Sequence, residues 1–177
     1  MRIGGVYSVK SGAEVIGSRY ATQLAEIEKV IAEVNAVQSQ TNDPDSLSYA
    51  FDRGFQRLGW QSKVRIQCDY TTDYYTPDYS VRSTAQAAHR EMEFVNNRLG
   101  VEVQFGKYAS AVYDICAKMI IFHKAGLIDA GIQILALQEL ADTIHPDTLS
   151  FEQIAWDLEH RGISNIDIPV LVLGIRA

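Results

Sequence analysis

Apolar residues recur along this chain with two periods, and the changes from one to the other mark out its elements. Residues 3–9 form a short segment suited to the edge of a sheet. From 20 to about 37, Leu24, Ile27, Ile31 and Val34 fall at helical spacing between Glu26, Glu28, Lys29 and Glu33, which predicts an amphipathic helix. The polar tract 38–43 reads as a loop. Asp43 as N-cap and Pro44 in the first turn open a second helix with Leu47, Phe51, Phe55 and Leu58 as its buried stripe and Gly59 as its stop. Over 63–69 the period drops to two: Val64, Ile66 and Cys68 alternate with Lys63, Arg65 and Gln67, as in a half-buried strand.

The stretch 69–79 carries four tyrosines among polar residues. These rings could stack on nucleic-acid bases, but a surface loop that buries them against the domain is the reading favoured here. Residues 83–90, with Ala85, Ala87 and Ala88, predict a short helix. A β-hairpin follows, with one strand ending near Val95, a turn through Asn96, Asn97, Arg98 and Gly100, and a second strand from Val101 to Phe105. Alternation puts Glu102 and Gln104 on one face and Val101, Val103 and Phe105 on the other, and the hairpin can bring Glu93 beside Glu102. Paired carboxylates at a strand end can hold a hard divalent cation such as Mg²⁺, although a half-solvated strand shows the same alternation.

Beyond the hairpin, residues 108–124 predict a helix that is apolar on more than one face through Val112, Ile115, Cys116, Met119, Ile120 and Phe122. Such a helix is either core or a subunit interface. Residues 132–137 predict an interior strand. Ser150 with Gln153 forms a capping box for a helix carrying Phe151, Ile154, Ala155 and Leu158 and ending at Gly162. Pro169 leads into a buried strand over 170–175. No repeat, low-complexity tract or linker interrupts the chain, so a single domain over 1–177 is expected.

Composition adds bounds. With 177 residues and 47% hydrophobic content, one core is affordable and sufficient. The net charge of −6 counts against a nucleic-acid binder, which usually shows a basic excess. Cys68 and Cys116 are far apart and read as free thiols, so the cytoplasm is the expected compartment; there is no leader or membrane-spanning run. His89, His123, His145 and His160 are scattered without zinc-site spacing. The hairpin is the one credible chemical centre.

The run Val101-Glu102-Val103-Gln104-Phe105-Gly106-Lys107-Tyr108 resembles the active-site strand of the BglII/BstYI family of type II restriction endonucleases. These are PD-(D/E)XK nucleases in which Gln takes the usual place of Lys. The likeness continues in order through residues 1–8, 50–60, the helix after Tyr108, 128–140 and 168–175, so it covers most of the chain, and it is closer to BstYI than to BglII. The resemblance implies an α/β, restriction-endonuclease-like core with a mixed central β-sheet flanked by α-helices, a homodimer, and Mg²⁺-dependent cleavage of double-stranded DNA at a short palindrome with a GATC core. A cognate DNA methyltransferase is implied in the same system.

It further implies Glu93, Glu102 and the Val103 carbonyl as metal ligands, with Glu93, Glu102 and Gln104 as the catalytic set. Lys107 falls where the family contacts bases, although a phosphate contact or a solvated side chain are equal readings. The loop 143–150 aligns with a recognition loop, giving His145, Thr148 and Ser150 as DNA donors. The chain departs from the family at one ligand, with Glu93 standing where the family has Asp; Glu91 is a reserve. That change leaves two rivals to a restriction enzyme: a DNA-binding homologue without catalysis, and a less specific metal-dependent nuclease.

Overall fold

The computed structural model describes residues 1–34, 44–68, 73, 75–79, 88–106, 108–145 and 147–177. Among them the strands β1 (Arg2–Val9), β2 (Gln61–Gln67), β3 (His89–Asn96), β4 (Leu99–Gln104), β5 (Ala130–Ala136) and β6 (Val170–Arg176) build one sheet in the order β1-β6-β5-β4-β3-β2. The pairs β4/β5 and β5/β6 are parallel, whereas β1/β6, β2/β3 and β3/β4 are antiparallel. The mixed sheet that the resemblance implies is therefore present. Every residue of β5 is buried, as an interior parallel strand with helices on both faces requires.

Helices α1 (Gly12–Arg19), α2 (Ala21–Val34) and α3 (Pro44–Arg57) pack on one face. There Ile27, Val30, Ile31, Leu47, Phe51 and Phe55 meet Phe94, Val101, Val103 and Phe105 of the hairpin. The second face is covered by α4 (Tyr108–Tyr113), a π-helical turn (Asp114–Lys118) and α5 (Met119–Lys124), which run on without a break, and by α7 (Phe151–Arg161). A shorter helix, α6 (Gln138–Ile144), follows β5.

Several expectations shift in detail. The second helix runs to Arg57 with Gly59 at φ 80° beyond it, the left-handed stop foreseen, while Asp43 and the tract 38–43 lie outside the described residues. The expected helix over 83–90 does not reach its end: His89 and Arg90 already belong to β3, paired with Gln67 and Ile66, and 83–87 lie outside the described residues. Tyr75 and Tyr79 stay exposed with their rings 5.0 Å apart, packed on each other rather than on the domain; Tyr70 and Tyr74 lie outside the described residues. Helices α1 and α6 had no forecast, because eight and seven residues are too few for a helical period to stand out.

Aromatic packing ties α3 to the hairpin. Phe55 stacks on Phe94 at 4.4 Å and meets Trp60 at 5.0 Å, and Phe51 meets Phe105 at 5.7 Å. Phe94 follows Glu93 in the chain and Phe105 follows Gln104, so this cluster fixes the backbone at both ends of the candidate site. Phe55→Ala is expected to cost about 3–5 kcal/mol through the cavity it leaves. A urea titration checks this: the midpoint falls while the slope of free energy against urea stays as in the parent chain.

Candidate active site

A two-residue turn sets the hairpin register. Asn97 and Arg98 both have positive φ, 48° and 67°, the geometry that matches the natural twist of paired strands. Arg98 is not a residue that favours this region, and it is held by contacts instead. Its guanidinium bonds both carboxylate oxygens of Asp129 at 2.7 and 2.6 Å and donates to the Gly126 carbonyl, while the Asp129 N–H returns a bond to the Arg98 carbonyl at 2.7 Å. The tip is thereby fastened to the segment leading into β5. The turn is tighter than the sequence reading, since Leu99 and Gly100 already belong to β4.

From this tip the ladder runs Asn96 with Leu99, Val95 with Gly100 and Phe94 with Val101, and there it stops. At the next step the side chains take over from the backbone. Glu93 Oε2 accepts the Val103 N–H at 2.7 Å, and Glu102 Oε1 lies 3.3 Å from the Glu93 N–H that donates to it. Strands β3 and β4 thus part at Glu93, and each carboxylate satisfies a backbone donor that the interrupted ladder leaves open. In an antiparallel strand the N–H and C=O of one residue face the same neighbour, so the Val103 carbonyl belongs to the same gap.

The cleft over this gap is about 490 Å³ and is lined by Glu91, Glu93, Glu102, Gln104, Ser110, Tyr113, Asp114 and Lys118. The Gly106 N–H donates to Gln104 Oε1 at 2.8 Å, which fixes the amide and leaves its NH₂ as the remaining donor. Glu91 is held by Arg65 at 2.7 Å. From the opposite wall, Lys118 Nζ reaches Glu102 Oε1 at 2.8 Å and Asp114 Oδ1 at 2.7 Å. All three side chains are nearly sealed from solvent, Lys118 being 12% exposed.

Three carboxyls therefore face one ammonium. Burial pushes Glu93 up to about 7, against the Val103 N–H bond and the Lys118 charge, which favour the ionised form. Burial, with Asp114 beside it, pushes Glu102 to about 8 against the pull of Lys118. Asp114 is raised by burial as well. Burial works to lower Lys118, but the attraction of Glu102 and Asp114 outweighs it and holds the ammonium above its ordinary value. A site that gathers buried carboxyls, and already seats a cation between oxygen ligands, suits a divalent ion, which would displace the retained protons as it binds. No group of three His, Cys, Asp or Glu side chains closes around one point among the described residues. Glu93, Glu102 and the Val103 carbonyl would therefore leave positions open for water or phosphate.

The remaining sequence candidates separate into different environments. Lys107 lies outside the described residues. The loop after α6 is tied to the end of β4 by the Leu149 N–H donating to the Gly106 carbonyl at 3.2 Å. On it His145 is exposed, with Nδ1 accepting the Asp147 N–H at 3.1 Å. Thr148 is buried to 8% exposure. Ser150 is wholly buried, and its Oγ accepts the Gln153 N–H of the α7 capping box, so it serves as a helix cap rather than as an open DNA donor.

Three polar residues at the site escaped the sequence reading. Asp114 and Lys118 are charges within a helix apolar on more than one face, and Gln133 is one amide in an apolar strand; each breaks its local pattern. Gln133 is the register partner of Glu102, fully buried, with neither amide atom bonded among the described residues. An unpartnered buried polar group costs about 1–3 kcal/mol.

Known proteins share this fold. A family model described as restriction endonuclease BglII/BglIII matches residues 5–175. No match is found among curated protein sequences. The solved structure of restriction endonuclease BglII complexed with a DNA 16-mer is similar at a TM-score of 0.70 and 15% identity, over 98% of this chain and 76% of that one. Free BglII is similar at 0.63 and 15% identity, over 100% and 80%. At that identity the structures speak for the fold, and the α/β core with its mixed sheet is theirs. The family match spans nearly the whole chain, and on it the protein belongs to the BglII/BglIII restriction endonuclease family.

Proposed function

We propose that the chain is a site-specific endonuclease that hydrolyses phosphodiester bonds of double-stranded DNA in a Mg²⁺-dependent reaction. The observation that carries this reading is the interrupted ladder, where Glu93 accepts the Val103 N–H and Glu102 the Glu93 N–H on the floor of an open cleft. The BglII structure bound to a DNA 16-mer supports DNA as the substrate.

Glu93, Glu102 and the Val103 carbonyl would hold the metal. When bound, Mg²⁺ stabilises charge on the scissile phosphate and lowers the pKa of a water. Gln104 orients that water through its NH₂ group, since Gly106 already occupies Oε1. An amide holds a water in place but supplies no charge. In hydrolysis the water's bond to phosphorus would form as the bond to the departing oxygen opposite it breaks, with the water's proton going to solvent and the departing oxygen taking one up. His145 and, just past β4, Lys107 are the proposed DNA contacts, with Thr148 behind His145. The family resemblance suggests a short palindrome with a GATC core as its site. A C₂ homodimer, each subunit cutting one strand, matches the two-fold symmetry of a palindrome. The exposed Tyr113 and Ile121 beside the cleft make the α4–α5 stretch its proposed interface.

A second reading has its own observation. Glu93 is one methylene longer than the family Asp, and its carboxylate lies against the Val103 N–H. A ligand misplaced by about 1 Å can cost on the order of a hundredfold in rate. A DNA-binding homologue with weakened catalysis is therefore the alternative.

Digestion of unmethylated plasmid DNA with purified protein and Mg²⁺ tests the proposal. Discrete fragments are expected, and Glu102→Ala should lower the rate by about a thousandfold or more through loss of metal stabilisation. A smear supports a less specific nuclease, and specific binding without cutting supports the weakened homologue, in which case Glu93→Asp should restore cleavage.

Stability gives an independent check. The folded state holds the Glu93 and Glu102 protons up to about 7 and 8, whereas an unperturbed Glu releases its proton at 4.5. The folded state thus binds more protons, so the contribution of these groups is full below pH 4.5 and is lost as pH rises through about 7 to 8. Metal-free protein should melt at progressively lower temperature across that window, and Mg²⁺ should reverse the fall. A Glu93→Gln, Glu102→Gln double variant should lack both effects in calorimetric scans.

A further inference from the structure

We propose that Lys118 is a resident cation occupying the seat of the divalent metal on Glu102, and that Asp114 is the carboxylate that receives its ammonium when the metal binds. This rests on the nuclease reading and adds to it a displacement step carried out by the chain itself.

The geometry of the far wall supports it. Lys118 Nζ bridges Glu102 Oε1 and Asp114 Oδ1 at 2.8 and 2.7 Å. The Glu102 and Asp114 side chains are 3% and 5% exposed, so neither charge is compensated by solvent. Two buried carboxylates this close need a cation, and the described residues lining the cleft supply one, Lys118. Asp114 and Lys118 stand four positions apart on one helical stretch, and such positions share a face, so both side chains reach toward Glu102.

An ammonium and a divalent cation compete for one buried carboxylate oxygen, because water screens their repulsion poorly where Glu102 is 3% exposed. Metal binding therefore requires Lys118 to leave Glu102. Asp114 makes that withdrawal short and keeps the ammonium paired throughout. Lys118 and Asp114 act as positioning residues: Lys118 opposes the metal, and Asp114 assists it by holding Lys118 back.

The two residues should therefore shift metal affinity in opposite directions. Mn²⁺ is titrated calorimetrically into the intact protein at pH 8.5, alongside Lys118→Met and Asp114→Asn, with the folded fraction of each followed by circular dichroism. Lys118→Met should bind Mn²⁺ about tenfold or more tightly, and Asp114→Asn about tenfold or more weakly, within the usual range of coupling between two sites. Both variants lose a buried partner, so a merely structural role would weaken binding in both as stability drops. Affinities that move together, or that do not move, overturn the inference while leaving the nuclease reading intact. Failure of the parent chain to bind Mn²⁺, with or without duplex DNA, overturns both.

Discussion

The structure depends on one broken β-ladder. In the hairpin of β3 and β4, backbone pairing ends at Phe94 and Val101, and beyond it two glutamates complete the hydrogen bonds that carbonyls would otherwise make. A strand pair of this kind does not stay open unaided. Its tip is clamped by Arg98 on Asp129, which fixes where counting along each strand begins. Its apolar face is held by Phe51 and Phe55 of α3. Its inner edge, β4, is bound in parallel to β5 with every residue in register from Leu99 to Gln104. The carboxylates are thus placed by a sheet and a helix that pack elsewhere, and a site on such supports keeps its geometry better than one on a loop.

Electrostatics then gives the opening its chemistry. Burial raises Glu93 and Glu102, and the Lys118 ammonium restrains the rise at both. The cost of holding these charges out of water is met by hydrophobic packing on both faces of the sheet, not by the ion pairs themselves, since buried pairs seldom repay their own desolvation. Gln133, unbonded beside Glu102, belongs to the same polar island between two apolar layers. Such local departures from good packing concentrate where a protein has work other than folding.

Much of this was legible in the order of residues. The alternation of Val101, Glu102, Val103 and Gln104 fixed which side chains share a face, and the stripes of α2 and α3 gave their buried sides. Ser150 with Gln153 foretold the α7 cap, although that same cap removes Ser150 from the set of open DNA donors. What alternation could not show was that pairing fails at Glu93, because a break in a ladder depends on how side chains meet across strands. Lys118 and Asp114 were hidden for a related reason. Their contact with Glu102 joins positions distant in the chain, and helical spacing shows only that they are neighbours of each other. The −6 net charge counts these cleft carboxyls among its acidic groups, so the total says little about where a DNA-facing surface would lie.

The central claim is that the gap between β3 and β4 is a metal seat. Anomalous diffraction from crystals soaked in Mn²⁺ tests it most directly. The account predicts a peak within about 2.0–2.3 Å of carboxylate oxygens from both Glu93 and Glu102, and near the Val103 carbonyl, with Lys118 drawn toward Asp114. A gap that stays empty while Mn²⁺ binds elsewhere, or a structure in which the β3–β4 ladder continues through Glu93 and Glu102, would contradict it.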